Sequence, residues 1–305
     1  MHIRQACHAL AVSPAGYYAH QHKDQRQRRL QDAELHGQIS AAFTASRRTY
    51  GSPRIMHALR QTGVHRSKNR IARIMRQNGL CVQQKRRFVP RTTTTDKASP
   101  VAPNHLLKHP QVTGLNQVWL SDITYLPTGE GFLYLAAELD LYSRRIIGWS
   151  TLESLDTQLP MRALDHALLS RPTASLPGLL HHSDRGCQYT SSAFRQRLDL
   201  SHITQSMSRK GNCYDNAAME SFWATLKAEC FGSTLPATRE QAHLMVFDYI
   251  ETFYNPIRLH SSLGFKSPTT FEKIIHHNSP YFKCLHFRRK IRLAWCVASA
   301  LGLLP

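Results

Sequence analysis

Three carboxylates stand out by their surroundings. Asp122 interrupts the apolar run QVWLSDITYL at 117–126. Asp184 closes a short apolar stretch where a loop opens, in His182-Ser183-Asp184-Arg185-Gly186. Glu220 lies early in a helical segment, with 35 residues between it and Asp184. A charge inside a strand-like apolar run is costly unless it is paired or binds a metal. Lys227 follows Glu220 by seven positions, two turns along the same helix face. This set suits phosphodiester chemistry. An attacking water or 3′-hydroxyl must lie in line with the leaving oxygen, and two magnesium ions about 3.5–4 Å apart serve both. Hard cations take oxygen ligands and magnesium keeps several waters, so three carboxylates suffice. An Asp between the metals, flanked by an Asp and a Glu, meets that demand, and Lys227 would then contact a DNA phosphate. The spacing alone is weak, because such intervals arise by chance.

The elements around these residues are legible from pattern. Residues 117–126 are β-branched and aromatic and are closed by Pro127-Thr128-Gly129. Residues 131–139 predict a second strand, 140–144 a turn and 145–150 a third strand, together an antiparallel meander. A helix is expected over 159–169, a strand over 179–183, a helix over 191–198 and a strand over 202–206. A further helix is expected over 215–229, with Asp215 or Asn216 capping it rather than binding metal. Three strands, then α/β alternation, then helices, is the order of an RNase H-like domain: α/β, a mixed five-stranded sheet with flanking helices. Arg185, Gly186, Gln188 and Tyr189 shape the loop after Asp184 or touch substrate. Ser206, Ser208, Arg209 and Lys210, with Gly211, form a polar, basic loop that is either mobile beside bound DNA or simply solvated. Trp119, Trp149 and Trp223 read as core.

The N-terminal third differs in charge. Residues 1–100 hold 19 Lys and Arg against 4 Asp and Glu, whereas residues 101–278 hold 15 against 16. A basic module beside a carboxylate-bearing domain suggests a polyanion held by one part and processed by another. In 1–24, Pro14 and Gly16 are expected to break any long helix. A domain over 25–91 follows. Leu30, Leu35, Ile39 and Phe43 keep helical spacing; Ser52 and Pro53 start a helix that ends near Gly63; Ser67 caps another that ends at Gly79. Two short helices with a tight turn read as helix-turn-helix. Lys68, Arg70, Arg73 and Arg76 on the second helix, with Lys85, Arg86, Arg87 and Arg91 beyond it, are DNA-contact candidates; the alternative is a solvated basic face. Residues 92–109 have linker composition, and 110–275 form the catalytic core.

The seven cysteines include no CxxC pair, so neither a zinc finger nor a disulfide scaffold is expected. Most of the 18 histidines read as surface or DNA-facing groups. The first 30 residues lack the apolar core of a signal peptide. Leu293–Leu304 is apolar but too short to span a bilayer at roughly 20 residues per helix. A cytoplasmic, DNA-accessible location is expected, with no membrane partner.

Several stretches resemble the integrase catalytic core of bacterial insertion-sequence transposases. They are W-L-S-D-I-T-Y (119–125), H-H-S-D-R-G-x-Q-Y (181–189), S-x-x-G-N-C-Y-D-N-A-x-x-E-S-F-W-x-x-L-K-x-E (208–229) and Y-N-x-x-R-L-H-S-S-L-G-F-x-S-P-x-x-F-E (254–272). Upstream, R-Q-A-C-x-A-L-x-V-S-x-x-G-Y-Y (4–18) and R-R-T-Y-G-S-P-R-I (47–55) do so too. The likeness is to the second-frame (OrfB-type) protein of the insertion sequence three family, within the DDE superfamily, and covers about residues 4–275.

The resemblance implies that Asp122, Asp184 and Glu220 are the acidic ligands of two Mg2+ or Mn2+ ions and that Lys227 is the basic residue after the glutamate. It implies recognition of terminal inverted repeats, donor-strand cleavage and transfer of the 3′-hydroxyl into target DNA, without a covalent protein–DNA intermediate. It also implies a homo-oligomer on double-stranded DNA and an upstream first-frame (OrfA-type) partner; no heptad repeat is present in this chain. Arg258 and His260 match the family words, with helix packing and DNA backbone contact both open. Residues 276–305 match nothing in the pattern; disorder or a loosely docked amphipathic piece is expected there. The competing functions are a catalytically silent DNA-binding regulator or element remnant, and an RNase H-type nuclease. The basic N-terminal module and the flanking words disfavour the nuclease.

Overall fold

The computed structural model describes residues 3–82, 102–106, 111–171, 176–208, 216–232 and 234–278. The chain divides into two compact units, one ending at Gln83 and the other beginning at Gln84. Lys85, Arg86, Arg87, Arg91, Arg209, Lys210 and Asp215, most of the linker and nearly all of the tail 276–305 lie outside the described residues.

The first unit is all-helical: α1 (Ile3–Ala9), α2 (Pro14–Ala45), α3 (Ser52–Gln61) and α4 (Lys68–Gln77). The expectation that Pro14 and Gly16 prevent a long helix is corrected. Ser13 caps α2 by accepting from the Gly16 N–H at 2.9 Å. Pro14 occupies the first turn, where its missing N–H would have had no helical partner. The helix then runs unbroken through the boundary placed between 24 and 25. Leu35, Ile39 and Phe43 are buried on one face of α2, and α2 packs on α3 and α4. Leu30 continues their spacing but is exposed. Gly51, not Ser52, takes the N-cap of α3, leaving Ser52 as the first helical residue. Ser67 caps α4 as expected. Gly63 and Gly79 follow α3 and α4 with positive φ, where a side chain would be strained.

The second unit is built on a five-stranded sheet. Its strands are β1 (Val118–Thr128), β2 (Gly131–Asp140), β3 (Ile146–Leu152), β4 (Leu180–Ser183) and β5 (Thr204–Met207), in spatial order β3-β2-β1-β4-β5. The first three pair antiparallel; β4 joins β1, and β5 joins β4, in parallel. This is the mixed RNase H-like sheet that the element order predicts. Pro127 sits within β1 because that strand has already lost its β4 neighbour; prolines are tolerated at such an edge.

Between β3 and β4 runs α5 (Gln158–Ser170), and between β4 and β5 run α6 (Cys187–Thr190) and α7 (Ser192–Leu200). One core cluster joins Trp119, Ile147, Leu164, Ala167, Tyr189, Phe194 and Leu198, so α5, α6 and α7 share a face of the sheet. Gly148 lets α5 lie directly on β3: a Cβ there would fall 2.2 Å from the Ala163 carbonyl oxygen and 2.5 Å from the Ala167 nitrogen. Gly148→Ala is expected to cost about 1–3 kcal/mol or more in urea denaturation, since backbone cannot yield as a side-chain tip can. A wild-type midpoint would contradict this contact.

The histidine expectation fails at His181 and His182, which are fully buried. They alternate on β4, each paired inside the unit. His181 Nε2 lies 3.2 Å from Glu138 Oε1, and His182 Nδ1 lies 2.9 Å from Ser206 Oγ.

After β5 come α8 (Ala217–Leu226), α9 (Arg239–Phe247) and α10 (Pro268–Asn278). The helix expected through Glu229 changes character: Lys227–Phe231 winds as a wide π turn, and Asp248–Tyr254 does the same after α9. The Asn255 side chain brackets Ile146, accepting from its N–H at 3.0 Å and donating to its carbonyl at 2.9 Å. Glu272 pins α10. It accepts from Arg171 at 2.6 and 3.1 Å, Arg145 at 2.7 Å and the Ser143 hydroxyl at 2.7 Å.

Candidate active site

Side chains alternate across a strand, so residues two apart share a face. Leu120 pairs with His182 in the parallel ladder between β1 and β4. Two steps further on each chain lie Asp122 and Asp184. The ladder therefore delivers both acids to one face, just where the strands part. A crevice at the carboxyl ends of strands is where open α/β sheets bind ligands.

Each acid has a fixed local partner. Asp122 Oδ1 accepts from the Ile123 N–H at 2.9 Å, and Oδ2 accepts from the Trp223 indole N–H at 3.0 Å. Asp184 Oδ1 accepts from the Gly186 N–H at 2.9 Å. A Cβ on Gly186 would come within 3.0 Å of that same oxygen, so glycine lets the loop fold tightly on the carboxylate. Arg185 turns away from the acid and donates to the Ser208 carbonyl at 2.8 Å, tying the loop to the end of β5. The Tyr189 hydroxyl meets Ser121 Oγ at 2.9 Å, beneath Asp122 on the opposite face. The loop residues thus shape the site through contacts within the protein.

Glu220 is exposed in the first turn of α8. Asn216 holds the N-cap position but makes no side-chain cap hydrogen bond. Trp223, one turn after Glu220 on the same face, is buried and is the link from α8 to Asp122. Its assignment to the core holds, yet the indole N–H also positions the acid. The i, i+3 spacing from Glu220 was the available signal. Lys227 is half-buried, with Nζ 4.8 Å from the centre of the Tyr125 ring.

The electrostatics follow from this crowding. Burial, with the charges of Asp184 and Glu220, raises the Asp122 carboxyl to about 7, against the Ile123 and Trp223 hydrogen bonds. Asp184 is raised by burial, against the Gly186 N–H. Burial lowers Lys227, while the Asp122 charge supports its ammonium form. Neighbouring carboxylates offer hard oxygen donors of the kind divalent cations take, and magnesium is commonly held by one or two carboxylates, with waters and substrate phosphates completing the shell. Asp122 and Asp184 fit that description. Among the described residues no three His, Cys, Asp or Glu side chains gather closely enough to share one ion, although the Glu220 charge reaches Asp122.

In the first unit, Lys68 and Arg76 are exposed. Arg70 and Arg73 both pair with Asp32 of α2, through contacts of 2.7 Å. Asp32 falls below the usual carboxylate range, chiefly through its Arg73 hydrogen bond. These two arginines therefore brace α4 against α2.

Comparison with known proteins separates the same two parts. Residues 29–88 match an HTH-like domain; residues 113–213 and 201–268 match two integrase core domain families. The insertion element IS600 uncharacterized 31 kDa protein of Shigella sonnei is 41% identical over 271 residues, covering 88% of this chain and 98% of that one. The transposase InsF for insertion sequence IS3A of Escherichia coli K12 is 39% identical, covering 88% and 93%. The chain belongs to the IS3 family of transposases. Another member, the transposase for IS904 of Lactococcus lactis, is 38% identical over 83% of this chain and 98% of its own. Among solved structures, the HTLV-2 integrase catalytic core domain in complex with magnesium aligns at 16% identity and a TM-score of 0.39, covering 51% of this chain and 95% of that one.

In this member of the IS3 family, the indole link offers a direct test of the expected metal site. Trp223→Phe keeps an aromatic ring but removes the donor to Asp122. It is expected to raise the metal concentration for half-maximal DNA joining by about 10- to 100-fold, with thermal stability little changed. An unchanged metal requirement would reduce Trp223 to packing.

Proposed function

We propose that the chain is the catalytic subunit of a DDE transposase, a polynucleotidyl transferase in which Asp122, Asp184 and Glu220 hold two divalent ions, Mg2+ or Mn2+. The observation that carries this is the shared register of β1 and β4, which brings two half-buried aspartates to one side of the sheet with α8 tied beside them. When bound, the ions supply charge neutralisation for the attacking and leaving oxygens of an in-line displacement. The protein's own part is positional. Asp122 and Asp184 present oxygen donors from rigid strands, and Glu220 approaches from α8, drawn in with bound metal and DNA. Lys227 takes a phosphate oxygen beside them. The sheet closes the site from behind, so solvent and DNA enter from one side.

Lys68 and Arg76, with the basic residues beyond α4, hold the terminal inverted repeats. Arg70 and Arg73 set the angle of the helix that carries them. Cleavage at the element ends followed by 3′-hydroxyl transfer into target DNA needs two ends held together, hence a homo-oligomer on double-stranded DNA. An OrfA-type partner contributes to end recognition, and the reaction takes place in the cytoplasm, where the DNA is accessible.

The test is a strand-transfer assay on inverted-repeat duplexes with magnesium and the upstream protein supplied. Asp122→Asn, Asp184→Asn and Glu220→Gln should each abolish joining while duplex binding persists. Joining that survives any one of them would remove that residue from the catalytic set. Wild-type protein that binds ends but never cleaves them would instead favour a catalytically silent regulator.

A further inference from the structure

The wide turn after α8 needs a cause. An α-helix that loosens into i→i+5 bonding gives up regular geometry, and such turns gather at functional sites. Here the turn begins at Lys227 and ends at Gly232. Glu229 lies in its middle, and both carboxylate oxygens are occupied. Arg258 donates to them through Nε at 2.6 Å and a terminal nitrogen at 2.7 Å; the Tyr249 hydroxyl adds a bond of 2.9 Å. The Arg258 side chain is 4% exposed and that of Glu229 11%. Tyr249 lies in the second wide turn, so one carboxylate joins both irregular segments. The Cys230 thiol donates to the Met245 carbonyl at 3.4 Å, and Tyr254 packs edge-on against Phe222 of α8 at 4.9 Å. Two residues before Glu229, Lys227 leaves the helix with its amine over the Tyr125 ring and near enough to Asp122 to feel its charge.

We infer that Glu229 and Arg258 form a latch that holds the wide turn and thereby aims Lys227 at the catalytic face. Both are positioning residues, and neither meets DNA. A bidentate guanidinium–carboxylate pair fixes direction as well as distance. α8 is then fastened at both ends: Trp223 ties its body to Asp122, and Glu229 ties its exit to Arg258. Lys227 sits between the two fastenings. Without the latch the turn can relax toward α-helical winding, which rotates Glu229 away from Arg258 and frees the lysine. The inference rests on the reading of Lys227 as a phosphate contact, and its experiment has an arm independent of activity.

Glu229→Gln and Arg258→Lys are made in the wild-type and Lys227→Ala backgrounds. Arg258→Lys keeps the charge pair and loses only the fork, so it serves if Glu229→Gln fails to fold. Joining of pre-cleaved ends is followed as kcat and KM, and acetylation of the Lys227 amine by an N-hydroxysuccinimide ester is followed by peptide mass spectrometry. Each variant should lower kcat about 10- to 100-fold, leave KM for DNA within about threefold and add no further loss once Lys227 is alanine. Lys227 should acetylate several-fold faster in both variants. An equal loss in the Lys227→Ala background, or unchanged acetylation, overturns the latch. Wild-type protein that joins no DNA defeats the catalytic reading instead, and the acetylation rates still decide the latch.

Discussion

Asp122→Asn, which removes a charged ligand of the proposed metal site, is expected to slow metal-dependent joining about a thousandfold or more. The same change should stabilise the metal-free protein at pH 8. The two effects have one cause. Burial and the neighbouring acids raise the Asp122 carboxyl from an ordinary 3.8 to about 7 in the folded chain. Below pH 3.8 the group is protonated in both states and contributes nothing. Between those values the unfolded chain ionises first, so folding weakens as pH rises. Above pH 7 the full penalty applies. It is at most about 4 kcal/mol and is reduced by partial solvent contact of the half-buried side chain. Asparagine never ionises, so the variant escapes the penalty. Magnesium at pH 8 should stabilise wild type and leave Asp122→Asn nearly unmoved. Urea denaturation at pH 5 and pH 8, with magnesium or with EDTA, checks this. Parallel pH–stability curves for the two proteins would sink it.

Glu272→Ala is expected to cost about 3–5 kcal/mol, the usual loss when one partner of a buried pair is removed. Burial alone would push the Glu272 carboxyl up. The hydrogen bonds and charge of Arg171, with Arg145 and Ser143, outweigh it and hold the group below the usual carboxylate range. The sign is therefore opposite to that of Asp122: this stability is present at neutral pH and is lost as pH falls through the lowered folded-state value. Urea denaturation should show the Ala variant far below wild type at pH 7 and closer to it in acid. Replacing Glu272 and Arg171 together by methionine should recover most of the loss. A single-variant cost under about 1 kcal/mol would mean that solvent reaches the pair.

The sequence reads well where one period or one residue type decides. The meander came from β-branched and aromatic alternation, and Asp122 and Asp184 showed because a carboxylate in an apolar run has few uses. It reads poorly where a residue has two meanings. Pro14 signals a break or a first turn, and only the Ser13 cap decides between them. His181 and His182 are polar by type but lie on a strand buried on both faces, where each is paired within the unit. The arginines of α4 were visible, but their pairing with Asp32, about 40 positions away, was not. The wide turn at Lys227 has no periodic signature at all; it is set by Arg258 and Tyr249, which arrive from later in the chain. The mutual register of the strands, which brings the acids together, was likewise beyond local pattern.

The ladder between β1 and β4 comprises three pairs, Val118–Leu180, Trp119–His181 and Leu120–His182, all upstream of the acids. The strands then fork. The two aspartates lie just past the last zipped pair, so the ladder behind them sets their spacing. The hairpin after Thr128 and the loop beyond Ser183 lie on the open side. A longer or shorter hairpin after Thr128 would therefore leave the spacing of the aspartates unchanged.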